Sequence, residues 1–234
     1  MRIHLPCLLL ALTLAAPAGA ATRNFGITSF DRIRVDGPYK VVLQVGVAPY
    51  AVASGSQAAL DEVAIDVQGR TLVVHPSRSS WGGFPGENRG PVEIRIGTHE
   101  LTQAWLNGSG SLQINQVRGL TFDLSVQGSG AVDVEQAEVD QLRVSIGGTA
   151  AAIIAGKAGK ASVTVRGTGS FDGTRLASKD AAITADGPAT IKTDVANSAT
   201  IEGYGPATIT LTGEPACTSR LKGSASVSGC KPSQ

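Results

Sequence analysis

Aromatic side chains are scarce: two Trp, three Tyr and five Phe make up 4% of 234 residues. That excludes a core filled by large rings, although 42% of the chain is hydrophobic, too much for a disordered linker. Charge is thin as well, at 17%, and no basic run or excess offers the concentrated positive surface that nucleic acid requires. With three His and three Cys, the chain has no ligand cluster at zinc spacing. No helical periodicity is sustained either: Gln57 to Glu62 offers at most one turn. Glycine is abundant instead. The 29 Gly and 11 Pro are too few and too irregularly placed for collagen, and together with the apolar fraction they predict a packed, small-residue-rich β protein.

Residues 1–20 read as an export signal. Arg2 and His4 precede an apolar run from Leu5 to Ala16, and the segment ends in Ala18, Gly19 and Ala20, so cleavage is expected after Ala20. The run is about a dozen residues, short of the roughly 20 that span a membrane. No later stretch is apolar enough to stop transfer. Cys7 sits early in the run, away from the cleavage point, which argues against a lipid anchor. The mature chain is expected in the periplasm or secreted. Of the 20 basic residues only Arg2 lies in the leader and all 19 acidic residues remain, leaving a formal charge of zero. Cys217 and Cys230 also remain, an even number in an oxidising compartment, so a disulfide is expected; free thiols or a metal pair are the alternatives.

Seven similar blocks organise the C-terminal half. Their anchor glycines are Gly108, Gly128, Gly148, Gly167, Gly187, Gly205 and Gly223, at intervals of 18–20 residues, and a period of that size means stacked coils. Two positions before the anchors stand Leu106, Val126, Ile146, Val165, Ala185, Gly203 and Leu221. Four after them stand Leu112, Val132, Ala152, Phe171, Ile191, Ile209 and Val227. Both columns should point inward, because a strand sends alternate residues to opposite faces. Position two after each anchor is always Gly or Ala, as expected where a coil bends. The columns between them are mostly polar, with Asn107, Gln127, Arg166 and Lys222 just before the anchors and Ser111, Ser170, Thr190 and Thr208 three after.

The fold predicted is therefore all-β, a single-stranded parallel β-solenoid (β-helix) with 18–20-residue coils. Each coil would hold two strands, a Gly corner between them, and a closing turn such as Asn115 to Gly119. An antiparallel sandwich with Gly hairpins is the alternative. Residues 21–100 repeat less regularly, yet Ile33, Val35, Val41 and Leu43 alternate around Asp36-Gly37-Pro38, so the first coil is expected to begin there. This segment reads as an N-terminal β cap that opens the solenoid, and residues 101–234 as the coils, closed at the far end by the disulfide segment.

The signal, the alternating Phe30-Asp31-Arg32-Ile33-Arg34-Val35-Asp36-Gly37, a hairpin ending Leu72-Val73-Val74 and serial Gly-Ser-Gly and Gly-Pro-Ala corners together resemble the putative auto-transporter adhesin, head GIN domain family. The likeness covers most of residues 25–230. It implies an exported β-solenoid with an adhesive or surface-binding role, toward a surface glycan or an envelope protein, and it carries over no catalytic residue and no cofactor.

Two chemistries compete with that expectation. Asp133 and Asp172 lie five after their anchors, two coils apart on one outward face, roughly 9.6 Å by coil spacing. That is the upper end of what an inverting glycosidase pair spans. Ile153 falls between them and Lys192 beside Asp172, which suits solvated surface charge better. Apparent nucleotide motifs fail, since no helix follows Gly167-Thr168-Gly169. Binding has better candidates: Trp81, Phe84 and Arg89 in a Gly/Pro-rich loop, and Trp105 with outward parity in its coil, where the same loop could also cover it. The expected protein is a non-catalytic, adhesin-like solenoid without metal or cofactor. A polysaccharide-degrading enzyme or an architectural envelope protein that self-associates is the alternative.

Overall fold

A computed structural model describes residues 21–77 and 90–232. The chain opens with β1 (Ala21–Phe25), β2 (Arg32–Asp36), β3 (Lys40–Val45), β4 (Tyr50–Gly55), the one-turn α1 (Gln57–Asp61), β5 (Val63–Gln68), β6 (Thr71–Pro76), β7 (Glu93–Thr98), β8 (Gln103–Gly108) and β9 (Ser111–Ile114). Longer strands follow: β10 (Val117–Gly128), β11 (Ala131–Gly148), β12 (Ala151–Gly167), β13 (Ser170–Asp186) and β14 (Thr190–Tyr204). The chain ends with β15 (Thr208–Thr212), β16 (Ala216–Lys222) and β17 (Ser226–Ser228).

From β8 onward each strand pairs in parallel with the strand one coil later, and the register keeps equivalent residues together. Leu106, Val126, Ile146, Val165, Ala185, Gly203 and Leu221 are successive partners. The residues are thus piled in one column, and all but the last are buried. Each larger inward side chain, such as Leu124, Val144, Val163 or Ile201, contributes about 1.5–3 kcal/mol through loss of water contact. Stacking makes that possible, because a lone coil has nothing to bury its apolar wall against.

The corner column has a steric reason. Gly128 has φ +107°, a region that side chains disfavour, and a Cβ there would lie 2.6 Å from the Gly108 carbonyl oxygen. Gly37, at φ +127°, stacks under Gly108, so the first corner does occur around Asp36-Gly37-Pro38.

Three features depart from the sequence expectation. The closing turn is a short third side: Val117, Arg118 and Gly119 pair with Ala137, Glu138 and Val139, which pair in turn with Gly156, Lys157 and Ala158. Only one or two inward residues per coil, such as Val117 and Ala137, mark this side, too few for an alternation to show. The N-terminal coils are also interleaved. The β2–β3 coil lies between β6–β7 and β8–β9, because β2 pairs with both β6 and β8, and β3 with both β7 and β9, all in parallel. Finally, the last coil covers its neighbour but is not itself covered by any described element, so Leu221 is 41% exposed although its position is an inward one.

The opposite end is closed by antiparallel strands. β5 runs along β6, while β4 runs along β7 and carries β1 on its other edge. Ser56 caps α1 by accepting a 3.1 Å hydrogen bond from the Ala59 amide, and Ala59 and Leu60 are buried against this end. One wall of the molecule therefore reads β5, β6, β2, β8, β10, with residues remote in sequence brought side by side.

Candidate functional site

The outward face of this wall holds a groove. Strand alternation and register place Asp66, Val73, Arg34, Trp105 and Ser125 in one transverse row. A second row contains Gln68, Thr71, Arg32 and Gln103, and a third brings Asp36 beside Asn107. Trp105 is half-buried and lines a hollow of about 360 Å³ together with Arg34, Gln68, Thr71, Val73 and Asn107. An adjoining hollow of about 550 Å³ shares Arg34, Gln68 and Val73 and adds Asp36, Ala64, Asp66 and His75.

Its charged groups are internally paired. Arg34 Nε lies 2.8 Å from Asp36 Oδ2, and Asn107 Nδ2 donates to Asp36 Oδ1 at 2.7 Å. His75 Nε2 is 3.0 Å from Asp66 Oδ2, and His75 Nδ1 is 2.8 Å from the Pro76 carbonyl oxygen. These bonds fix the orientation of the planar groups around the indole. Among the described residues, no hydrogen bond occupies the Trp105 indole N–H or the side chains of Gln68 and Thr71. The groove thus combines one aromatic surface, planar polar groups held in place, and donors still available.

A family profile described as "Putative auto-transporter adhesin, head GIN domain" matches residues 29–215. The chain belongs to this family. Solved structures share the adhesin-head fold. A putative adhesin from Bacteroides fragilis NCTC 9343 superposes with TM-score 0.82 at 19% identity, over 90% of this chain and 97% of its own. A putative lipid binding protein from Parabacteroides distasonis ATCC 8503 gives 0.72 at 20% identity, over 89% and 95%. A putative adhesin from Parabacteroides merdae ATCC 43184 gives 0.60 at 20% identity, over 89% and 95%. No curated protein matches the chain.

Of the residues singled out from sequence in this adhesin-head chain, Trp105 has the outward placement expected and lies in the groove. Trp81, Phe84 and Arg89 lie outside the described residues. Cys217 and Cys230 form the expected disulfide, with Cα atoms 5.7 Å apart. The groove partners Arg34, Asp36, Asp66, His75 and Asn107 were not anticipated as a set, because the interleaving of β2 that assembles them leaves no repeat in the sequence. One signal was legible: Asp36 and Asn107 both immediately precede a corner glycine, so they share a column.

Of the two carboxylates Asp133 and Asp172, the second is engaged locally. Asp172 Oδ1 accepts hydrogen bonds from Thr174, at 2.7 Å from the hydroxyl and 3.0 Å from the amide. These bonds, with the nearby charges of Lys192 and Arg175, hold the carboxyl below its usual range. An acid catalyst needs the opposite shift. Ile153 stands between Asp133 and Asp172 in the register, 40% exposed. An aliphatic side chain thus separates the two carboxylates, and Asp172 is engaged by Thr174.

A larger hollow of about 650 Å³ lies on the third side, among Glu138, Asp140, Lys157 and Lys179. Glu138 is engaged by Arg118 at 3.1 Å, and among the described residues no aromatic ring lines the space to serve as a platform for a planar ligand. Among the described residues, no group of three or more His, Cys, Asp or Glu is placed to hold a metal ion. Likewise, among the described residues no helix is long and apolar enough to cross a membrane.

Proposed function

We propose that the protein is an exported, non-catalytic adhesin-like solenoid that acts in the periplasm or after secretion, and that the wall bearing Trp105 binds a surface glycan or an envelope protein. The observation that carries this reading is the placement of Trp105 beside Arg34 on paired strands within one wall. Sites on strands hold their side chains with less freedom than sites on loops, which lowers the ordering cost of binding. Family membership and the adhesin names borne by solved structures of the same fold support the role. The test is adhesion of the purified mature protein to bacterial envelope fractions and intact cells. Trp105→Ala should reduce the bound fraction at least fivefold. Undiminished adhesion by a correctly folded Trp105→Ala protein would remove the groove from the proposal.

The architectural reading has one observation in its favour, the exposure of Leu221 on the open last coil. End-to-end association through that coil predicts a light-scattering mass that rises with concentration and stays monomeric in Leu221→Lys. Arg220 and Lys222 flank Leu221 on the same edge strand, and like charges there oppose such pairing.

A further inference from the structure

We infer that the Trp105 groove is a saccharide site selective for neutral sugars, with the indole stacking on one pyranose ring and the adjoining His75–Asp66 hollow accepting the next. This inference rests on the binding role proposed above and names its ligand chemistry. A pyranose presents an apolar C–H face and a rim of hydroxyls, so its recognition requires an aromatic surface bordered by planar hydrogen-bonding groups. The groove has both. Trp105 supplies the ring surface and a free indole N–H, while Arg34 and Asn107, held by Asp36, border it with a guanidinium and an amide. Gln68 and Thr71 add donors and acceptors that no described residue uses.

Size and charge narrow the ligand further. The hollow of about 360 Å³ falls in the range of small-molecule sites, roughly 300–1,000 Å³. The adjoining hollow shares its Arg34 border, so a chain of at least two sugars fits better than a single ring. A protein anchor would call for a desolvated apolar pocket, but among the described residues Val73 is the sole branched aliphatic one lining the Trp105 hollow. Anionic sugars are disfavoured because Arg34, the one guanidinium among the described residues that line the two hollows, is already matched by Asp36 at 2.8 Å, Asp66 faces the second hollow, and Arg32 in the next row lies outside both linings. A sulfate or carboxylate brought into either hollow would meet Asp36 or Asp66, with Arg34 already paired.

The experiment uses the mature protein with Trp81→Phe, which leaves Trp105 as the sole indole of the two in the chain. Oligomers of two to four glucose, galactose, mannose or N-acetylglucosamine units are titrated in parallel with sulfated and sialylated oligomers. Tryptophan emission and saturation-transfer NMR report binding. At least one neutral series should shift Trp105 emission, and Arg34→Ala and Asn107→Ala should each weaken that binding at least fivefold. Trp105→Ala should weaken it at least tenfold by NMR and Trp105→Phe less. Thr208→Ala on the other wall should leave it unchanged. No shift with any neutral oligomer, tighter binding of the anionic ones, or indifference to Arg34→Ala and Asn107→Ala would overturn the assignment. If envelope adhesion depends on Trp105 while no neutral oligomer binds, the sugar chemistry falls and the binding role stands. If neutral oligomers bind but adhesion ignores Trp105→Ala, the role falls and the site stands.

Discussion

Asp31 and Arg70 lock the point where the chain crosses its own coils. Arg70 Nη2 lies 2.6 Å from Asp31 Oδ2, and the Arg70 carbonyl oxygen accepts from the amides of Asp31 and Arg32 at 3.1 and 3.2 Å. On the other side, the Asp31 carbonyl oxygen accepts from the Thr102 amide at 2.8 Å. Asp31, through its carboxylate and its backbone together, therefore ties the β5–β6 turn to the start of β2 and to the segment entering β8. It is the same crossing that brings Arg34 beside Trp105.

Asp31 is 5% exposed, so removing its partner leaves a shielded carboxylate with one hydrogen-bonding group fewer. Arg70 itself is 65% exposed, and water compensates part of the loss. Arg70→Ala should cost about 1–2 kcal/mol. Calorimetry would register this as a melting point lower by a few degrees, and Arg70→Lys should recover part of it.

Corner glycines differ in what a side chain would meet. At Gly128 both the positive φ and the Gly108 carbonyl oxygen oppose substitution, so Gly128→Ala should destabilise by about 2 kcal/mol. Gly69, in the β5–β6 turn, also has a positive φ, of +63°, but nothing lies within 4 Å of its would-be Cβ. Gly69→Asn should change stability by under about 0.5 kcal/mol, because Asn tolerates that region. Chemical denaturation of both variants, read by circular dichroism, separates the steric from the conformational contribution.

This contrast bears on how far the fold was legible in the sequence. The glycine period declared the coils, since every stacked corner meets the same backbone constraint and repeats its answer in the sequence. Alternation then assigned Val126, Ile146 and Val165 to the interior. Interleaving was invisible for the same physical reason: Ile33 packs between Leu72 and Ala104, and pairing of strands far apart in sequence produces no period. Trp105 could be recognised as outward from parity alone. Its neighbours required knowing that β2 and not β6 lies alongside β8.

Three carboxyls predict an acid response. Asp61 is held low by hydrogen bonds from Arg23 and Gln57, Glu93 by Lys40 and Arg95, and Asp172 chiefly by Thr174. A carboxyl whose folded value lies below its unfolded one stabilises the fold above the unfolded value, about 4, and loses that contribution as pH falls through the folded value. The melting point should therefore be flat from pH 7 to 5 and decline below 4. Asp61 and Glu93 are exposed ion pairs, so salt should erase much of their part. The Asp172 part rests on hydrogen bonds and should persist in salt but vanish in Asp172→Asn. A decline unchanged in both tests would assign the acid sensitivity to other groups.

The last coil depends on its crosslink more than the others do. No described element covers β16 and β17 on their outer side, and Leu221, Ala225 and Val227, at inward positions, are exposed or half-buried. Burial thus contributes less here than in the interior coils, where the same columns are closed to water. The Cys217–Cys230 bridge compensates by restricting the unfolded segment, worth roughly 3 kcal/mol for a loop of this length in the chain-entropy model. Replacing both cysteines by serine should release the end without dissolving the rod, since nearest-neighbour coils melt in sequence from an open end. Amide exchange is then expected to speed at least tenfold across residues 216–228 and to remain slow in β11 and β12. Uniform acceleration along every strand would mean instead that the end coil and the interior unfold as one unit.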